Sequence, residues 1–129
     1  MSKPVRPRAI TAAQFLDAMS HIKRPSASIC RMLRAHLNFT GRVSTMTLLA
    51  EAAGYSSFSP ANLHYGGLAR RIGRHLAISE PRIRFPAASD AYCSLLGDFV
   101  PPETVTNTQW LFVMKPAFAE ALLASGWID

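Results

Sequence analysis

Arg70, Arg71 and Arg74 crowd the segment GLARRIGRHL, and no acid occurs from His64 to Ile78. A guanidinium stays charged at any ordinary pH and presents a rigid fork of donors that fits phosphate oxygens. Such a group grips an anion and does not shuttle protons, so its chemistry is recognition. Arg82 and Arg84 in EPRIRFP, and Arg31 and Arg34 further upstream, could add phosphate contacts. Asn62 carries a donor and acceptor pair suited to a base edge, though the same side chain can serve a turn instead. His64 and His75 border the basic segment and could bond phosphates, or lie on the surface without a role.

The charge distribution points the same way. The net charge is +6, yet residues 1–84 hold 13 of the 14 Lys and Arg against three acids, Asp17, Glu51 and Glu80. Residues 85–129 hold one Lys and five acids. A molecule so divided has a directional field that attracts a polyanion to one side. Duplex DNA is the expected partner. A protein partner is the alternative, with the acidic half, which contains Trp110 and Trp127, facing a basic surface, or the basic half facing an acidic mimic of nucleic acid.

Other chemistries find little support. There is no nucleophile elbow, no phosphate-cradling glycine loop and no pair of carboxylates at a catalytic spacing in the basic half. The four histidines, His21, His36, His64 and His75, lack HxH or HExxH spacing, so no metal or other cofactor is expected. Cys30 and Cys93 are far apart and outside any CxxC, which suits two reduced, buried thiols. No apolar run approaches the ~20 residues of a membrane span, and the basic N-terminus lacks the apolar centre of a secretion signal. The expectation is a cytoplasmic, non-catalytic protein with no small-molecule substrate.

The elements that must position the arginines can be read from periodicity. Residues 1–10, with Lys3, Arg6, Arg8 and two prolines, are expected to form a flexible basic arm, and residues 11–129 a single domain. Thr11 and Gln14 form a capping-box pattern before a first helix with Phe15, Leu16, Met19 and Ile22 on one face. Ser26 caps a second helix to about Asn38, with Ile29, Met32 or Leu33, and Leu37 inward and Arg31 and Arg34 outside. Ser44 or Thr45 caps a third, in which Met46, Leu49, Ala50 and Ala53 share a side and Gly54 ends the helix. After a turn, Ser59 and Pro60 open a fourth. Its apolar third contains Tyr65, Leu68, Ala69, Ile72 and Leu76, with Arg70, Arg71, Arg74 and Gly67 opposite. Gly66-Gly67 is a weak place where this helix could break.

The pattern then turns strand-like, through residues 80–86, 91–100 and 108–114, with 101–107 suited to a hairpin loop. Lys115-Pro116 opens a last helix with Phe118, Leu122 and Leu123 inward. Gly126 ends it, and Trp127 and Ile128 fold back as a clip. The predicted class is α+β: N-terminal helices with a helix-turn-helix, a small antiparallel sheet or wing, and a C-terminal helix. Ala50 and Gly54 have the spacing that lets two helices of a helix-turn-helix cross closely. Arg82 and Arg84 would sit at the wing.

On these residues the chain resembles the DNA-binding half of the alkylguanine-DNA alkyltransferases and their inactive alkyltransferase-like relatives. Gly41, Val43, Thr45, Leu49, Ala50 and Gly54 match the first motif of that family, and the segment from Ala69 to Leu76 matches the second. The resemblance implies a winged-helix-like architecture, with Arg70 in the space of a flipped nucleotide and its helix in the minor groove. About nine extra residues separate the two motifs here, and the family's Pro-Cys-His-Arg sequence is absent, so alkyl transfer is not expected. The chain also resembles small bacterial proteins, some joined to HNH nuclease domains, around LAEAAGY, NLHYGGLARRIG and MKPAFAEALLASGW. That likeness implies a prokaryotic accessory domain in bacterial or phage defence, counter-defence or regulation, and supplies no activity; the protein-partner alternative is a small interaction module or inhibitor of the anti-defence, anti-CRISPR or antitoxin type.

Overall fold

The computed structural model describes residues 9–57, 59–79, 91–101 and 110–128. Among these, five α-helices and a three-stranded antiparallel sheet make a mixed α+β fold that ends in a helix. The order is α1 (Ala12–His21), α2 (Ala27–Asn38), β1 (Val43–Ser44), α3 (Met46–Ala53), α4 (Ser59–His75), β2 (Gly97–Val100), β3 (Leu111–Met114) and α5 (Pro116–Ser125).

Local chemistry sets the helix starts. The Thr11 hydroxyl accepts from the Gln14 amide at 3.2 Å while the Gln14 side chain accepts from the Thr11 amide at 2.9 Å, a closed capping box. Ser26 caps α2, and of the two residues that could cap α3 it is Thr45 that does so, accepting from the Leu48 amide at 3.2 Å. Ser44 belongs instead to β1 and is buried. Pro116 occupies the first turn of α5, where its missing N–H costs nothing.

The sheet runs β1-β3-β2, with Val43 opposite Val113, Phe99 opposite Phe112 and Gly97 opposite Met114. Gly97 is required by space, because a Cβ there would stand 2.7 Å from both the Phe112 ring and the Val113 carbonyl oxygen. The core unites all layers. Phe15 of α1 meets Phe118 of α5 with ring centroids 5.4 Å apart, and Tyr65 of α4 meets Phe112 of β3 edge-on at 5.1 Å. Trp127 is buried behind α5, and its carbonyl accepts from Arg24 at 3.0 Å, closing the C-terminal clip.

One buried polar group ties three elements together. His36 of α2 has no exposed surface. Its Nε2–H donates to the Phe112 carbonyl of β3 at 2.9 Å, so in the neutral ring Nδ1 accepts from the Tyr65 hydroxyl of α4. Burial pushes the imidazole pKa down to about 4, which keeps the ring neutral at physiological pH. The same burial holds the Tyr65 phenol well above its usual value.

Several elements differ from the sequence expectation. Helix α4 runs unbroken through Gly66-Gly67. The intrinsic cost of two glycines, ~1 kcal/mol each, is outweighed by Tyr65, Leu68, Ala69 and Ile72, all with no exposed surface. The segment expected as a strand from residue 91 is a 3-10 turn over Ala91–Leu95, and extended structure starts only at Gly97. Two-residue β1 was not anticipated, since no alternation can register over so short a stretch. Leu123, expected inward, is 69% exposed, because Phe118, Ala119, Ala121 and Leu122 already fill the inner face of α5. The strand-like segment 80–86 and the N-terminal arm to Arg8 lie outside the described residues.

Candidate nucleic-acid interface

The site is built on a helix, a turn and a second helix. Helix α3 ends at Gly54, whose φ of 92° is the left-handed conformation that a side chain disfavours. The Tyr55 amide bonds back to the Ala50 carbonyl at 2.8 Å, turning the chain sharply. Ala50, Ala53 and Ala61 are buried and small, so α3 and α4 approach closely. The Tyr55 hydroxyl reaches His64 Nε2 at 3.1 Å and ties the turn to the first turns of α4.

The inner side of α4 faces α2 through the Tyr65–His36 bond. Taking Tyr65 as zero and advancing ~100° per residue, Leu63, Arg74, Gly67 and Arg71 fall at roughly 160°, 180°, 200° and 240°. These four make an open strip. Leu63 is 73% exposed, Arg71 and Arg74 are exposed, and a Cβ on Gly67 would meet nothing within 4 Å. Arg71 Nε donates to the Gly67 carbonyl at 3.4 Å, a bond within its own helix. Among the described residues neither Arg71 nor Arg74 is paired with a carboxylate.

The two flanks of the strip are closed. On one side, at roughly 80° and 140°, Gly73 and Arg70 look toward the 3-10 turn. A Cβ on Gly73 would lie 3.0 Å from Leu95 and 3.1 Å from Tyr92, so the turn packs directly on the helix. The Arg70 guanidinium carbon sits 5.5 Å from the centre of the Tyr92 ring, and Arg70 is half-buried. It therefore does not project with Arg71 and Arg74, as the sequence periodicity had grouped it. On the other side, at roughly 280°, His75 meets α1. Its Nε2 donates to the Asp17 carboxylate at 3.2 Å, and its ring stacks on His21 with centroids 4.8 Å apart.

The remaining predicted residues are scattered. Asn62 is buried, at 6% exposure, and offers no edge to a groove. His64 is half-buried and engaged with Tyr55. Arg31 and Arg34 are exposed on α2. Measured from His36, which faces α4, they fall at roughly 220° and 160°, so they look away from the open strip. Arg31 reaches the Ala53 carbonyl at the end of α3 at 3.5 Å and Ser28 at 3.2 Å. Arg82 and Arg84 lie outside the described residues. The hairpin that pairs beside α4 is β2–β3, and the connecting residues 101–110 contain Glu103 and no Lys or Arg. A basic tip on that hairpin is therefore ruled out by composition.

Sequence reasoning missed the grouping of Asp17, His21 and His75. Asp17 and His21 are one turn apart on α1, a legible i, i+4 pair. His75 joins them from 54 residues further along the chain than His21, and only the packing of α4 on α1 brings it there. Compared with protein-family models, curated proteins and solved structures, the chain matches none. No helix among the described residues is long and apolar enough to cross a membrane.

Proposed function

We propose that this chain is a non-catalytic, winged-helix-like domain that binds duplex DNA, with α4 as the recognition helix. The observation that carries the reading is the open strip of α4, where Arg71 and Arg74 stand exposed beside Gly67, which has no side chain to hold a backbone away. The element order supports it: a helix-turn-helix is followed by a β-hairpin, and the sheet that carries the hairpin also holds a strand from the segment before α3. Arg71 and Arg74 lie in the second half of α4, whereas helix-turn-helix proteins usually read bases with the first turns of the recognition helix. Contact with phosphates, positioning rather than reading, is therefore the role assigned to them. Leu63, one turn from the start of α4, is the residue placed to meet a base methyl or a base step. The arm and Arg82 and Arg84 add charge to the same half of the sequence. Bacterial or phage defence, or regulation, is the setting in which such a domain would act.

A protein partner is the second reading, in which the domain inhibits or docks on another protein. One observation favours it: Leu48 and Leu63, on the two helices of the helix-turn-helix, are 48% and 73% exposed. The test is a mobility-shift titration of a duplex of mixed sequence at ~50 mM salt, where non-specific electrostatic binding is strong. The DNA reading predicts a shift that weakens at least about tenfold in Arg71→Ala/Arg74→Ala. No shift in the wild type would favour the protein partner.

A further inference from the structure

We infer that Asp17, His21 and His75 form a binding site for a divalent transition metal, zinc in the first instance, at the junction of α1 and α4. The three side chains each offer one ligand atom, and these atoms all lie within 4.8 Å of one another, the one such cluster of His, Cys, Asp or Glu among the described residues. Tetrahedral zinc with bonds of ~2.0–2.2 Å to nitrogen and oxygen needs its ligand atoms ~3.3–3.5 Å apart. The His75–Asp17 separation is already 3.2 Å. Small rotations of exposed side chains close the rest, the stacked imidazoles turning so that both nitrogens aim at the ion. The side chains of Asp17 and His21 are each 59% exposed, which leaves them that freedom and gives an ion a path from solvent.

The donor set selects the class of ion. Two imidazoles and one carboxylate suit zinc, nickel or copper, whereas magnesium and calcium take oxygen ligands. The His21 atom nearest the Asp17 carboxylate is Nδ1, 3.6 Å from Oδ1, so ligation needs a turn of the ring that brings its other nitrogen to the ion. The His21 Nδ1–H donates to the Asp17 backbone carbonyl at 2.8 Å, which leaves the lone pair on Nε2. An ion would displace the proton that His75 now donates to Asp17 and replace that hydrogen bond with two coordinate bonds. Three protein ligands leave the fourth position to water. The site joins the last turn of α4 to α1, so its occupation would lock the helix that carries Arg71 and Arg74. This inference does not depend on the DNA reading.

The test uses the untagged full chain, zinc chloride and two readouts. Isothermal titration should give one ion per chain. The thermal midpoint should rise by at least about 3 °C in ~100 µM zinc, and the rise should disappear in both His75→Asn and Asp17→Asn. Circular dichroism of each variant without metal establishes that it folds, as substitution at exposed positions should allow. The proposal is overturned by an unchanged midpoint in the wild type, by a stoichiometry other than one, or by a rise that survives in either folded variant.

Discussion

The neutral, buried His36 makes a quantitative demand on stability. Its folded pKa is about 4 against 6.5 in the unfolded chain, and burial is the chief cause. Below pH 6.5 the unfolded chain takes up a proton that the folded chain refuses until pH 4. Stability is therefore complete above pH 6.5 and falls as the solution is acidified, with a slope approaching ~1.4 kcal/mol per pH unit. Integrated, the loss from this group is about 2 kcal/mol at pH 5 and about 3 kcal/mol at pH 4. The perturbation is His36→Gln, which cannot titrate. At pH 7 the variant should be less stable than wild type by about 1–3 kcal/mol, since it disturbs the buried partners Tyr65 and Phe112. Urea denaturation between pH 7 and pH 4.5 is the assay. Carboxylates titrate in both proteins and cancel in the difference. The gap between wild type and variant should shrink steadily toward acid and close or reverse by pH 4.5. A gap that stays constant across that range would show that His36 titrates normally in the folded chain, and the three-way link of α2, α4 and β3 through a neutral ring would have to be abandoned.

Other consequences follow from single positions. Tyr65→Phe should cost about 1–2 kcal/mol at pH 7 yet keep the acid sensitivity, because burial rather than the phenol dominates the His36 shift; parallel urea titrations distinguish the two effects. Gly97→Ala should destabilise by about 3 kcal/mol or more, since one of the atoms 2.7 Å from its new methyl is backbone and cannot swing aside; denaturant midpoints check this. Gly67→Ala should raise stability by up to about 1 kcal/mol, the helix-propensity gain with nothing in the way, and should weaken duplex binding in a mobility shift if a backbone approaches there. Arg70→Ala should lower stability by about 0.5–1 kcal/mol through loss of its contact with Tyr92, while leaving the salt dependence of duplex binding almost unchanged.

Where the sequence was legible, the reason is local. The Thr11–Gln14 box, the Thr45 cap, Gly54 and Pro116 act within four residues of themselves, and each lies at the helix end it was expected to mark. The apolar stripe of α4 was readable because Tyr65, Leu68, Ala69 and Ile72 repeat at helical spacing. The illegible parts depend on distant partners. Arg70 belongs by periodicity with Arg71 and Arg74, but Tyr92, 22 residues further on, draws it aside. Asn62 falls at roughly 60° from Tyr65, beside the apolar stripe of α4, so its burial was legible from the same periodicity, whereas nothing in the sequence near His64 marks its bond to Tyr55 of the preceding turn. Strand β1 exists because β3, some 70 residues later, supplies its hydrogen bonds. Arg31 and Arg34 carry the same charge as the α4 arginines, and only the contact of His36 with Tyr65 reveals that the two groups look in opposite directions.

The central claim is that the exposed strip of α4 is the surface that meets DNA, and the salt dependence of duplex affinity tests it most directly. Anisotropy titrations from ~50 to ~200 mM salt give the slope of log affinity against log salt, about 0.9 per phosphate neutralised. The slope should become shallower by about 2 in Arg71→Ala/Arg74→Ala and should not change in Arg31→Ala/Arg34→Ala. A slope unaltered by loss of Arg71 and Arg74, or one that falls instead with Arg31 and Arg34, would contradict the account.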